Sequence, residues 1–277
     1  MTQVIVERGV EPGEASIHSS AIVDSGAEIG AGVRIGPYCC VGPNVVIGAG
    51  TVLESHVVVT GRTSIGAGAR IFPFASIGHR PQDLKYRGES SELVIGARNV
   101  IREHVTMNPG TEGGGMVTST GDDCLFMAGS HVAHDSRIGE HVILVNNATL
   151  GGHVVVDDFA IVGGLSAVHQ FVRIGKHAMV GGMTGVEQDV IPFGSVTGNR
   201  AALVGLNIVG LKRRGFGREA IHDLRAAYRL LFAQEGTLQE RLDDVAVLFA
   251  ANDVVMDIIE FIRVDSSRSI CQPKAGP

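Results

Sequence analysis

Eleven histidines are spread over the 277 residues, and the densest group of chemically useful side chains lies in SHVAHDSRIG, which carries His131, His134 and Asp135. An imidazole can take a proton from an attacking hydroxyl. The plain alternative is that these are outward polar positions on a repeat. Spacing weighs against it: Gly152 follows His134 by eighteen residues, and Gln170, next to His169, follows Gly152 by another eighteen. If eighteen residues make one structural coil, a base stands beside a glycine whose N–H is open to approach. Acyl transfer needs that pair, one group to activate a hydroxyl and the other to stabilise the oxyanion of the tetrahedral intermediate. The sequence has neither a serine nucleophile elbow nor a Cys/His arrangement, so direct transfer without an acyl-enzyme is expected.

The element that positions these residues is a six-residue repeat. Stepping by six from Ile17 through Val23, Ile29 and Ile35 to Ile77 meets eleven aliphatic residues in succession. The phase returns briefly at Ile95, Ile101 and Met107, then runs unbroken from Phe126 through Val132, Leu150 and Val168 to Val186. The residue four places after each of the first ten, and after each from Phe126 on, is small or β-branched, and glycine often follows the aliphatic position. Neither a helical period nor a long strand gives this spacing, whereas short strands joined by tight turns do. Three hexads make a triangular coil of eighteen residues, and coils stacked about 4.8 Å apart pair every backbone group. The aliphatic residue is expected to fill the interior and the small +4 residue to turn the corner. Handedness does not follow from spacing, and parallel crossovers are normally right-handed.

Two stretches leave the repeat, about 79–93 (HRPQDLKYRGESSEL) and 111–119 (TEGGGMVTS), and loops on a rigid solenoid are where binding residues gather. After Pro192 the hexads stop and helical signals begin in REAIHDLRAAYRLLFAQ, in TLQERLDDVAVLFAA with its capping box Thr237-x-x-Glu240, and in DVVMDIIEFIRV. The tail from about Ser266 reads as disordered. The domains are therefore expected at 1–198 and 199–277. Thirty-eight glycines, 5% aromatics and no Trp suit a core of many small side chains. The net charge of −6 argues against nucleic-acid binding. The N-terminus lacks an apolar leader core, and the sequence holds no membrane-spanning stretch, so a cytoplasmic protein is expected. Cys39, Cys40, Cys124 and Cys271 form no CxxC pair and read as idle thiols of a reducing compartment.

The segments ASIG, QDLKY, HVAHD, NNATLGGHV, AVHQF and LKRRGF, in this order from about residue 15 to 232 with both excursions in place, make the chain resemble the UDP-N-acetylglucosamine O-acyltransferases of lipid A biosynthesis. The resemblance implies an all-β left-handed parallel β-helix followed by a C-terminal α-helical domain, assembled as a homotrimer without cofactor or metal. The implied reaction moves a 3-hydroxyacyl group from acyl carrier protein to UDP-N-acetylglucosamine. His134 matches the base, Asp135 its hydrogen-bonding companion, and Gly152 the oxyanion-hole amide. Asp83 and Lys85 match residues holding the sugar and phosphate region. His131, His153, His169 and Gln170 match positions lining the cleft, and Asn207, Arg213 and Arg214 match the nucleotide end. Met179, with the space left by Gly181 and Gly182, matches the place where acyl length is measured. Lys176, Arg173 and Arg214 are expected to dock the carrier protein.

Two departures stand out. Met107-Asn108-Pro109-Gly110-Thr111 replaces the family's usual His-Arg before Gly-Thr, and Val209 stands where an acidic residue is common. The first keeps open N-acylation of a 3-amino analogue of the sugar, with the hydroxyl preferred. Another hexapeptide N-acyltransferase of the pathway usually carries an extra N-terminal domain, for which hexads starting at Ile17 leave no room. A zinc enzyme of the γ-carbonic anhydrase type would use His131, His134 and His153, but QDLKY and LKRRG would then go unexplained. A purely structural β-helix would not need the polar loops.

Overall fold

The structure, a computed structural model, describes residues 13–274. The N-terminal segment up to residue 12 and the last three residues, on which the leader reading and the end of the tail fall, lie outside it. The described chain forms two compact units, one of residues 13–129 with Ala133–Asp135, the other of Ser130–Val132 with everything from Ser136.

The first unit is built of strands mostly two residues long. Ser16–Ile17 pairs in parallel with Arg34–Ile35, and that strand with Val52–Leu53, a register of eighteen residues. The strand at Ile22–Val23 pairs with Cys40–Val41, and Glu28–Ile29 with Val45–Ile47, so successive strands join three sheets in rotation. Ile35, Val41, Ile47 and Leu53 fill the interior, while Arg34 and Cys40 face out. Ile17, on the first strand described, keeps 46% exposure.

The +4 residues do not turn the corners. Val33, Cys39, Val45 and Val57 lie fully inside, beneath turns made by the two residues before each. Except before Val45, the second of those two takes the left-handed conformation, as it also does elsewhere on the coils, at Gly32, Tyr38, Gly50, His56, Gly68 and Phe74. Glycine after the aliphatic residue has its own cause: a Cβ at Gly30 would stand 2.7 Å from the amide of Ala49 on the next coil.

Where loops intervene, the register lengthens. Ile71 pairs with Ile101, thirty residues on, and Leu93 with Thr118, twenty-five on. Both excursions are shorter than expected. Glu92–Ile95 and Val117–Thr120 are strands with Leu93, Thr118 and Thr120 turned inward, so the loops end at 91 and 116. Threonine in aliphatic places hid the resumed phase.

The second unit continues the pattern from His131–Val132 through Thr149–Leu150 and Ala167–Val168 to Gly185–Val186. Beyond Pro192 the chain is not yet helical. Gly194–Thr197 adds one more parallel strand and then pairs antiparallel with Ala202–Leu206. Among the described residues four helices follow: α1 (Ile208–Arg213), α2 (Arg218–Leu231), α3 (Leu238–Leu248) and α4 (Asp253–Arg263). α3 opens on the expected capping box of Thr237 and Glu240. Leu224, Leu231, Leu242, Val245, Ile258 and Ile259 bury the apolar faces of α2, α3 and α4. The tail from Ser266 is ordered as far as residue 274, against expectation. Its backbone bridges Asp189 and Leu203, a pairing between distant segments that local composition does not encode. Among the described residues, no helix is long and apolar enough to cross a membrane.

Candidate active site

In the first unit Asp135 turns a corner, with φ +59°, a conformation that Asp tolerates better than most residues. The turn presents its carboxylate to the chain of the second excursion, and the side chain is wholly buried. There it accepts hydrogen bonds from the Thr111 amide at 2.9 Å and the Thr111 hydroxyl at 2.6 Å. Its own backbone amide donates to Thr118 Oγ1 at 2.7 Å, on the strand that follows the excursion, so the chain on both sides of the loop grips Asp135. The excursion also lies flat on the carboxylate: a Cβ added to Gly114 would run into it. That contact accounts for Gly114, while Gly115 takes φ +97°, a conformation that favours glycine.

His134, 7% exposed, holds its Nδ1 at 2.8 Å from Asp135 Oδ2. A carboxylate only accepts, so Nδ1 donates and the imidazole lone pair is placed on Nε2. The arrangement is a base held in one tautomer by a buried, fully engaged carboxylate. Thr111, Thr118 and Gly114 went unrecognised in the sequence, where TEGGG read only as a loop.

Asn108 is 5% exposed, and its amide donates to the carbonyls of His79 at 2.9 Å and Arg80 at 3.4 Å. It anchors the start of the first excursion. Within that loop Asp83 accepts from the Lys85 amide at 2.9 Å, a turn that pushes Leu84 out to 97% exposure and leaves Lys85 exposed.

In the second unit His131 sits on a strand opposite Thr149. Gly152 is buried, and its carbonyl accepts from the Phe171 amide at 3.1 Å. His153 is a corner residue, φ +61°, stacked on Phe171 with centroids 4.3 Å apart. His169 and Gln170 are exposed and meet Arg268 of the tail, which the sequence had not singled out.

At the far end Asn207 caps α1, accepting from Gly210 N at 3.0 Å and donating to the His177 carbonyl at 3.0 Å. Arg213 is exposed. Arg214 instead turns inward, donating to the Phe159 carbonyl at 2.7 Å with its guanidinium over the Phe159 ring. Burial pulls the Arg214 pKa down, and burial followed by the nearby Arg214 and Lys176 charges pulls His177 down to about 4, against an opposing pull from Asp158. Met179 lies on a strand between Ile161 and Ser195, half-buried. Gly182 is exposed, and a Cβ there would meet the Gly164 backbone, its carbonyl at 3.3 Å. Lys176 and Arg173, expected to dock the carrier, are engaged inside the unit: Lys176 pairs with Asp257, and Arg173 with Asp189 at 2.7 Å.

The chain matches two family models. One is the second domain of UDP-N-acetylglucosamine O-acyltransferase, over residues 189–271. The other is the bacterial transferase hexapeptide, over 14–49, 26–61 and 118–152. An acyl-[acyl-carrier-protein]–UDP-N-acetylglucosamine O-acyltransferase from Caulobacter vibrioides is 56% identical over 259 residues, 94% of this chain and 98% of the relative. A relative of the same description from Methylobacterium radiotolerans is 62% identical, covering 73% of this chain and 75% of its own. The crystal structure of the Francisella novicida UDP-N-acetylglucosamine acyltransferase superposes with a TM-score of 0.90 at 39% identity, over 93% of this chain and 94% of that one. The fold is thus the left-handed parallel β-helix of the hexapeptide transferases followed by C-terminal helices.

Proposed function

The chain belongs to the UDP-N-acetylglucosamine O-acyltransferase family, and from that membership we propose how its residues carry the reaction. The substrates are a 3-hydroxyacyl thioester of acyl carrier protein and UDP-N-acetylglucosamine, and the product enters lipid A biosynthesis. His134 Nε2 removes the proton of the sugar 3-hydroxyl as that oxygen attacks the thioester carbonyl. The new C–O bond leaves a tetrahedral oxyanion, which the Gly152 amide stabilises. Collapse breaks the C–S bond, and the departing thiolate takes the proton back from His134. Asp135 holds the ring and offsets its transient charge without being protonated itself. The observation that carries this reading is the buried grip of Thr111 on Asp135 and of Asp135 on His134 Nδ1.

The other site residues divide the remaining work. Asp83 and Lys85 hold the sugar and phosphate region, and His131, His153, His169 and Gln170 line the cleft. Arg213 meets the nucleotide, while Asn207 and Arg214 fix the end of the coil against which it lies. Met179 and the open face at Gly182 bound the acyl chain. The division of labour is at residue 198: the coils do the chemistry and 199–277 the nucleotide end. The enzyme works in the cytoplasm as a homotrimer without cofactor or metal; a stable, active monomer in light scattering would contradict the trimer. The 3-hydroxyl is the acceptor, because Asn108, where an amine preference would originate, is committed to loop carbonyls.

The test is transfer from a panel of carrier-protein thioesters to UDP-N-acetylglucosamine. His134→Ala should lower kcat by about 10²-fold or more, and His131→Ala by much less. Equal, mild losses would place the base elsewhere.

A further inference from the structure

The C-terminal tail is built into the last coils. Asp189, wholly buried, is its anchor. The Asp189 carboxylate accepts from Ser266 Oγ at 2.8 Å and from Arg173 through Nε at 2.7 Å and the backbone amide at 2.8 Å. The backbone of Asp189 donates to the Ser269 carbonyl at 2.9 Å and accepts from the Cys271 amide at 2.7 Å. Leu203 N donates to the Gln272 carbonyl at 3.0 Å, and Ile270 and Cys271 are buried beneath.

So held, the tail delivers Arg268 to His169. Arg268 Nη2 stands 2.7 Å from His169 Nδ1, and its Nε donates to the Gln170 carbonyl at 3.2 Å. A guanidinium has five donors and no acceptor, so Nδ1 must accept, and the ring proton is on Nε2. His169 Nδ1 also lies 3.2 Å from the Gln170 carbonyl, a contact that suits the opposite tautomer. The shorter contact decides, since the opposite tautomer would set two donors face to face, and that carbonyl already accepts from Arg268.

We infer that the tail is part of the substrate site, with Arg268 a positioning residue that locks His169 as a neutral Nε2–H donor. Such a group grips an acceptor oxygen of bound substrate but cannot serve as a base. It is the complement of His134, whose lone pair lies on Nε2. The inference rests on the reading above that His169 faces substrate.

The first arm of the test needs no substrate. In 15N spectra of the full-length enzyme labelled at histidine, with His169 assigned by its loss in His169→Gln, the ring should show a protonated Nε2 and an unprotonated Nδ1. Arg268→Met should mix the two tautomers, and Arg268→Lys, which still donates, should keep the native one. In steady state, Arg268→Met and His169→Ala should each raise the KM of the same substrate by about tenfold, the scale of one lost hydrogen bond, with kcat nearly kept. The double variant should be no worse than either alone. A protonated Nδ1 in the parent enzyme overturns the lock. A raised KM in His169→Ala without one in Arg268→Met overturns the positioning role. If neither KM moves while His134→Ala still abolishes turnover, the tail has no part in the substrate site and the base assignment stands.

Discussion

At the residue scale, Thr111 is as informative as His134. Its hydroxyl donates to Asp135 Oδ2 at 2.6 Å, from within the second excursion. Hydrogen bonds to charged groups are among the stronger ones, about 1.5–3 kcal/mol each. Removing the hydroxyl leaves the amide bond from the same residue, so the carboxylate should loosen rather than leave. Thr111→Val should therefore cut kcat by about tenfold with little change in either KM, and Thr111→Ser should restore it. Unchanged kcat in Thr111→Val would show that the amide alone positions Asp135. Of these residues, His134 and Asp135 were singled out in the sequence as a base and its companion, and the structure holds them 2.8 Å apart. Thr111 was not, since it reaches Asp135 from an inserted loop to which no period applies. Arg268 escaped for the same reason, arriving from a tail whose composition reads as disorder.

At the element scale, the hexads foretold the interior residue by residue, yet misplaced the corners. The residues that turn the chain are often large: His141, His153, Phe159, Phe171 and His177 all have φ near +60°. A left-handed conformation costs such residues roughly 1–2 kcal/mol each. Stacking along the corners offsets it, because the coil repeat, eighteen residues and then sixteen to Phe193, superimposes the rings. His141, Phe159, His177 and Phe193 form one column with centroids 4.6, 4.8 and 5.6 Å apart. His56, His104, His141, His153 and His177, five of the eleven histidines, are corner residues, which no count of imidazoles could separate from catalytic ones. His177 carries a cost of its own, with Nδ1 buried and unpartnered among the described residues and a pKa lowered to about 4. The unfolded chain, with an ordinary value near 6.5, takes up the proton first. Stability from the neutral ring is therefore complete above about 6.5 and is lost as pH falls toward about 4. Phenylalanine already occupies neighbouring corners of this column, so His177→Phe should fold and lose less thermal stability than the parent between pH 7.5 and pH 5. Identical drops in Tm would mean that another group titrates.

At the scale of the whole molecule, the question is how an acidic carrier protein finds an enzyme that is itself acidic, with a net charge of −6. General attraction is excluded, so the encounter must be steered by a local patch. The basic residues first expected there are occupied, Lys176 by Asp257, Arg173 by Asp189 and Arg214 by the Phe159 carbonyl. α2 offers a better patch. Arg218, His222, Arg225 and Arg229 recur at helical spacing along its exposed side, and among the described residues none of them joins an ion pair. His222, Arg225 and Arg229 line a cavity of about 380 Å³ together with Leu206, Ile208 and Tyr228. A cationic rim over an apolar floor suits an acidic helix with its own apolar side. The donor KM should therefore rise with salt, since exposed charges are screened beyond about 8–10 Å at 0.1–0.15 M. Arg225→Glu with Arg229→Glu should raise the donor KM at low salt by at least about tenfold, flatten its salt dependence, and leave the KM of the sugar nucleotide alone. Lys176→Ala should do little. The opposite pattern, with the donor KM moved by Lys176→Ala and untouched by the α2 pair, would return docking to the coils.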